Sequence, residues 1–288
     1  MKKIIRLFLL FSRNSLRTTL QAHTGIWLFM LGKIFRFAFF FLMIVIIFGK
    51  IKIISGYSFS QMLVFYLTFN LIDTFAQTMF REVYRFRYQV VSGNFDLTLV
   101  KPFHPFVKIL IGGVDFFDLL LLFPYLFLTI YFAFQIPNIT VFNILNYSFL
   151  ILNSLIIATS FHIIVLALGI LTTDVDHTIM IYRDLTGMAR FPMQIYREPL
   201  RSIFTFIIPV GVMMTFPSQA LFGRLSFEFF FPRVFHLNRS IITIISFMEN
   251  SIKKIPKLGR VRITQKSKIK NQKTILNISL LFSLLTLK

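Results

Sequence analysis

The 288-residue chain contains no cysteine, which excludes disulfide scaffolds, thiolate metal sites and cysteine nucleophiles together. Charge is scarce too: Asp, Glu, Lys and Arg make up 15% of the residues, where a soluble domain carries about a quarter. The shortage is one-sided, with 11 acidic residues against 31 lysines and arginines. A GxxxxGK[ST] phosphate loop is absent; the pairs Gly32-Lys33 and Gly49-Lys50 are each followed by isoleucine, in or beside an apolar run. HExxH and GxSxG are absent as well. No residue is expected to be catalytic and no metal or other cofactor is expected. If the protein moves something uphill, an ion gradient or a separate ATPase must drive it.

What is abundant is apolar surface. Hydrophobic residues make up 56% of the chain, and the mean hydropathy is +0.74. The expected fold is an all-α integral membrane protein, since about 20 apolar residues make one crossing and roughly five to seven helices fit this length. The net charge of +20 is carried in clusters between apolar runs. That placement fits membrane orientation and lipid headgroups, not nucleic acid.

The N-terminal segment places Lys2, Lys3, Arg6, Arg13 and Arg17 among apolar residues without a small-residue cleavage site. An amphipathic helix on the cytoplasmic surface is expected there rather than a secretory signal. Spans are predicted over Ile26–Phe48, Phe59–Phe80, Ile109–Phe134 with a kink at Pro124, Val141–Leu171, and Ser202–Phe222 broken by Pro209 and Pro217. Lys33 and Arg36, in the first span, are expected to snorkel toward the headgroups. A sixth helix is predicted near Phe227–Met248. Between the spans, Arg81–Lys108 reads as a short helix ended by Ser92-Gly93 and then an extended piece with Pro102 and Pro105. Thr172–Arg201 reads as a second polar loop.

Lysine and arginine concentrate in the N-terminal segment and in these two loops, which predicts a cytoplasmic N-terminus. The organisation expected is thus residues 1–24 as a cytoplasmic amphipathic helix, 25–248 as the membrane domain and 249–288 as a basic tail.

Few polar residues fall inside spans. Asn70, Asp73 and Gln77 follow helical spacing and form a stripe facing other helices. Asp115 and Asp118, three apart, could share a proton, or could be hydrated or paired with a nearby arginine. Asp174, Asp176 and His177 resemble a metal cluster only loosely and suit a solvated helix end. His104 and His162 are lone histidines with structural roles as the default.

The loops carry a more specific pattern. The segment ARFPMQIYREPLRSIFTFIIPVGVMMTFPSQALFGR resembles the GRFPxxIYxxxLRxxxTFxIPxxxxxxFPxxxLLG pattern of one branch of type-2 ABC transporter permeases. Arg190, Phe191, Pro192, Ile195, Tyr196, Leu200, Thr205, Phe206, Ile208, Pro209, Phe216, Pro217 and Gly223 match in register, with Ala189 where glycine is common. SGNFDLTLVKPFHP is similar to that branch's GxLDxxLxxPxxP loop through Gly93, Asp96, Leu99, Pro102 and Pro105. The resemblance covers roughly Arg81–Arg224, and the segment after Arg224 looks unlike the family.

The resemblance implies the membrane subunit of an exporter-class ABC transporter in the plasma (inner) membrane, with about six transmembrane helices. Its expected partners are a cytoplasmic ATP-binding subunit, a second permease (identical or a sister chain) and membrane lipids. A coupling loop would use Arg81, Tyr84, Arg85, Arg87, Tyr88, Gly93, Asp96 and Pro102. The rival reading is an ion-coupled secondary transporter using Asp115 and Asp118.

Overall fold

The computed structural model describes residues 2–21, 23–99, 105–110, 112–172 and 175–225. Described strands are absent; Ile54 and Tyr57 form one isolated bridge. The long helices are α1 (Lys2–Gln21), α2 (His23–Phe48) and α3 (Phe59–Met79). Four short helices follow: α4 (Arg81–Tyr84), α5 (Phe86–Val91), α6 (Asn94–Leu99) and α7 (Pro105–Leu110). Then come α8 (Phe116–Ala133), α9 (Val141–Thr172) and α10 (Val175–Met188), a 3-10 turn at Met193–Ile195, α11 (Leu200–Ser202), a π-turn at Ile203–Ile207, and α12 (Val210–Leu221). Among the described residues three helices are long and apolar enough to cross a membrane, at Trp27–Phe48, Phe116–Ala133 and Val141–Leu168. The sixth helix expected near Phe227–Met248 lies outside the described residues.

Helix α3 is the axis of the bundle. Ser58 caps its start, with the Gln61 side chain reaching back to the Ser58 amide at 3.1 Å. Leu63, Val64, Phe65, Leu67 and Thr68 are fully buried, so α3 is covered on all sides although its polar stripe weakens its hydropathy. Helix α8 runs antiparallel to it: Phe132 packs on Phe59, Leu121 and Tyr125 pack on Leu67, and the Asp115 amide donates to the Thr78 carbonyl at 3.2 Å. Inside a bilayer such packing rests on dispersion and satisfied polar groups, since lipid tails are as apolar as leucine.

The third span begins at Phe116, not Ile109. Gly112 and Gly113 break the chain before it: Gly113 has φ +156°, and a Cβ on it would lie 2.9 Å from the Ser15 Cβ of α1. A Cβ on Gly112 would lie 2.7 Å from the Glu82 Cγ. Only glycine allows α1 and α4 to approach the turn this closely. Asp115 then caps α8, its carboxylate accepting the Phe117 and Asp118 amides at 3.1 and 3.4 Å.

Two further expectations are corrected. The piece after Gly93 is helical from Asn94 to Leu99, not extended; Gly93, at φ +76°, turns the chain between α5 and α6. The segment Thr172–Arg201 is no loop confined to one side. At the end of α3 nearest Arg81, Asp176 pairs with Arg87 at 2.5 Å. At the opposite end, the Tyr57 hydroxyl donates to Gln194 Oε1 at 3.1 Å. Helix α10 and the turn after it therefore traverse the length of α3, which is roughly 30 Å at 1.5 Å per residue.

Nor is Ser202–Phe222 one span. The chain is at the Tyr57 end at Gln194 and again at Arg224, which donates to the Gly56 carbonyl at 2.7 Å and to Gln61 at 2.9 Å. Between these points it dips into the bundle and returns. Pro209 separates the inward π-turn from the outward α12, where the Ile208 amide bonds Ile203 and the regular ladder stops. Pro217 lies inside α12 and cannot donate to the Met213 carbonyl. Ser154 of α9 supplies the missing donor, its hydroxyl 2.6 Å from that carbonyl, as a proline in a buried membrane helix requires. Gly223, at φ +66°, ends the helix.

Candidate coupling surface and intramembrane charges

At the Arg81 end of α3 the chain folds into a knot of short helices over a small core. Val83 and Phe86 pack with Ile109, Val165, Leu166, Ile179 and Tyr182, joining α4 and α5 to α7, α9 and α10. Burying a residue such as Phe86 there is worth about 1.5–3 kcal/mol. His162 adds a polar tie: one ring nitrogen lies 2.8 Å from the Ala158 carbonyl, the other 3.1 Å from the Tyr84 hydroxyl, and the ring stacks on Phe80 at 4.6 Å. Burial, reinforced by the charge of Asp73, pushes the Tyr84 phenol above its ordinary pKa, so it stays a neutral hydrogen-bonding group.

The expected coupling residues divide here. Arg81 and Tyr84 turn inward, Arg81 to Asp115 at 3.2 Å and Tyr84 to His162. Arg85, Arg87 and Tyr88 face outward, with Tyr88 71% exposed. Arg85 meets Glu82 at 3.3 Å, and Gln89 bonds the same carboxylate at 2.6 Å. Gly93 makes the turn, Asp96 is carried on α6, and Pro102 lies outside the described residues, as do His104 and Asp174. The rest of the loosely metal-like trio does not gather: Asp176 is held by Arg87, and no metal-binding group of side chains occurs among the described residues.

Within the bundle, Asp115 and Asp118 each meet a cation from another helix. Asp115 pairs with Arg81, and the fully buried Asp118 pairs with Lys33 of α2. Lys33 also donates to Gln77 at 3.2 Å, and Gln77 to Asp73 at 2.8 Å. Lys33 thus turns into the bundle instead of snorkelling, because a buried carboxylate offers it a better partner than a distant headgroup. The sequence contains both residues, but 85 positions apart, and no local spacing signals their meeting.

The second motif falls at mid-bundle. Arg190 lies over the Phe69 ring at 5.9 Å, Phe191 against Phe40 at 5.2 Å, and Pro192 starts the 3-10 turn. Tyr196 donates to the Met188 carbonyl at 2.6 Å and packs edge-on against Phe204. Gly211, which sequence reasoning passed over, has room for no side chain: a Cβ would lie 2.8 Å from Met193 and 3.0 Å from the Phe204 carbonyl.

Apolar helices around a polar, ion-paired axis, with exposed basic helices at one end, fit an integral membrane protein. The family model described as ABC-2 family transporter protein matches residues 34–252, most of the chain. The chain belongs to that family and is a type-2 ABC transporter permease. No curated protein and no solved structure matches it.

Proposed function

We propose that this chain is the permease subunit of an exporter-class transporter driven by ATP hydrolysed on a separate cytoplasmic subunit. It works beside a second permease, identical or a sister chain, in the plasma (inner) membrane with its N-terminus inside. About six spans are expected: α2, α3, α8, α9, the α10 traverse, and one drawn from residues after 225. The basic amphipathic α1, with Ile5, Leu9 and Leu10 exposed, suits the inner membrane surface.

The observation that carries this reading is the build of Arg81–Val91. Its outer face presents Arg85, Arg87 and Tyr88, while Val83 and Phe86 are locked into a core shared with α9 and α10. A push on the outer face is therefore delivered to two long helices rather than absorbed by a loop. Closure of the ATP-binding subunits would supply that push and rock the permeases against each other. The ion-coupled alternative has less support, because Asp115 and Asp118 are engaged by different cations and do not face each other as a free pair.

The test is a detergent pull-down of the tagged full chain, with and without Tyr88→Ala and Arg85→Ala. Recovery of an ATP-binding subunit that these exposed changes abolish supports the reading. Equal recovery from wild type and variants removes the coupling role from this face, and no recovery from well-folded wild type removes the ATP-driven assignment.

A further inference from the structure

Not every intramembrane cation is neutralised. Arg36 lies near the middle of the α2 span, Arg190 follows the end of α10, and Arg183 lies two turns before it. None of the three has an ion pair with a described residue. Their positions converge. Arg36 and Phe40 share one face of α2, and Phe40 stacks on Tyr66 at 4.5 Å and meets the tilted ring of Phe191 at 5.2 Å. Arg190 stands over Phe69, the midpoint of α3, and the charges of Arg36 and Arg190 act on each other and on Tyr66. The charge of Arg183, two turns earlier, also acts on Arg190.

The carboxylate whose charge acts on Arg190 is Asp73, already bonded to Gln77. The chain has 11 acids for 31 strong bases, and Asp115, Asp118, Glu82 and Asp176 are paired with other cations. Arginines at this depth face a cavity or a partner, not lipid tails. Irregular backbone such as Ala189–Pro192 is tolerated at membrane depth where protein buries it or where it lines a cavity. Arg36 and Arg183 are exposed and Arg190 is half-buried, so the guanidinium groups are open to a ligand. The half-buried rings of Phe40 and Phe191 provide an apolar floor beside them.

We propose that Arg36 and Arg190 bind the oxyanion head of an amphiphile whose apolar body lies along Phe40 and Phe191. A planar guanidinium fork matches phosphate and carboxylate oxygens in pairs, and an anion is the one ligand that relieves the repulsion between the two. Naming this amphiphile the cargo rests on the permease function proposed above; its binding here does not.

The experiment titrates the full-length chain in phosphatidylcholine nanodiscs with radiolabelled dodecyl phosphate, using empty nanodiscs as the blank. Wild type is expected to bind saturably, with affinity lowered about tenfold by Arg36→Gln and by Arg190→Gln, the loss expected for one charged hydrogen-bonding partner. Arg190→Lys should keep part of it. Dodecyltrimethylammonium should show no saturable binding, and inorganic phosphate should compete poorly.

Unchanged affinity in folded Arg36→Gln overturns the site, and that exposed position decides alone if Arg190→Gln does not fold. Equal binding of the cationic probe overturns the charge class, and equal binding of free phosphate overturns the amphiphile. Recovery of the ATP-binding subunit, measured on the same Arg36→Gln preparation, should be unaffected, so the two proposals fail separately.

Discussion

Lys33 and Arg36 stand one turn apart on α2, both in the middle of an apolar run, yet their surroundings differ. Lys33 reaches across to the buried Asp118 and to Gln77. Arg36 remains exposed with no ion pair among the described residues, in the electrostatic company of Arg190. A charge at the centre of a membrane helix costs about 2.5–3.5 kcal/mol on insertion scales. At Lys33 the cost is offset inside the fold, and the residue latches α2 to α8. At Arg36 it is left for something outside the described chain to offset. Placement on the helix therefore does not separate a structural cation from a binding one; its partner does.

The largest expected effect tests the latch. Asp118→Leu leaves Lys33 beside an apolar side chain and should cost about 3–5 kcal/mol, the range for breaking one half of a buried pair. It would be read as a lower melting temperature in detergent. Lys33→Met combined with Asp118→Leu should recover most of that loss. If the double variant also exports, Asp118 carries no proton; a folded double variant without export reopens the ion-coupled reading.

Next comes the proline-freed carbonyl. Ser154→Ala strips the Met213 carbonyl of its donor and should cost about 1–3 kcal/mol. Pro217→Ala restores a helical donor there, so adding Ser154→Ala to it should cost less, and the double-mutant cycle measures the difference.

Smaller effects sharpen the other side. Arg36→Gln should shift stability by no more than about 0.5 kcal/mol, as for an unpaired exposed side chain; a loss comparable to that of Asp118→Leu would show that Arg36 has a structural partner. Arg87→Ala removes an exposed pair with Asp176 and should cost about 0.2–1 kcal/mol, falling further in high salt.

Much of the architecture was legible. Helix α9 extends from Val141 to Thr172 against an expected Val141–Leu171, and α2 and α3 fall within three residues of their predicted limits. Long apolar runs leave the backbone little choice in a bilayer. Of the Asn70–Asp73–Gln77 stripe, Gln77 accepts a bond from Lys33 of α2, while Asn70 bonds Tyr66 and Asp73 bonds Gln77 within α3 itself. Legibility failed where order depends on distant contacts. Gly112-Gly113 before Asp115 was a readable helix-start signal, overridden by the apolar residues on either side. The re-entrant course of Gln194–Arg224 gave no local sign, since a dipping hairpin and a crossing helix are equally apolar.

The sequence by itself determined that this chain lives in a membrane, roughly where its long helices run, and to which family it belongs. These follow from hydropathy and from motifs held within a few dozen residues, and neither depends on what packs against what. Only the tertiary structure decided which charges are neutralised. Lys33 and Asp118 are 85 residues apart, Tyr57 and Gln194 are 137 apart, and Ser154 and Met213 are 59 apart. The energy of a polar group in an apolar medium is set by the partner it meets at hydrogen-bond distance, and that partner is chosen by the packing of helices, not by the order of residues along any one of them.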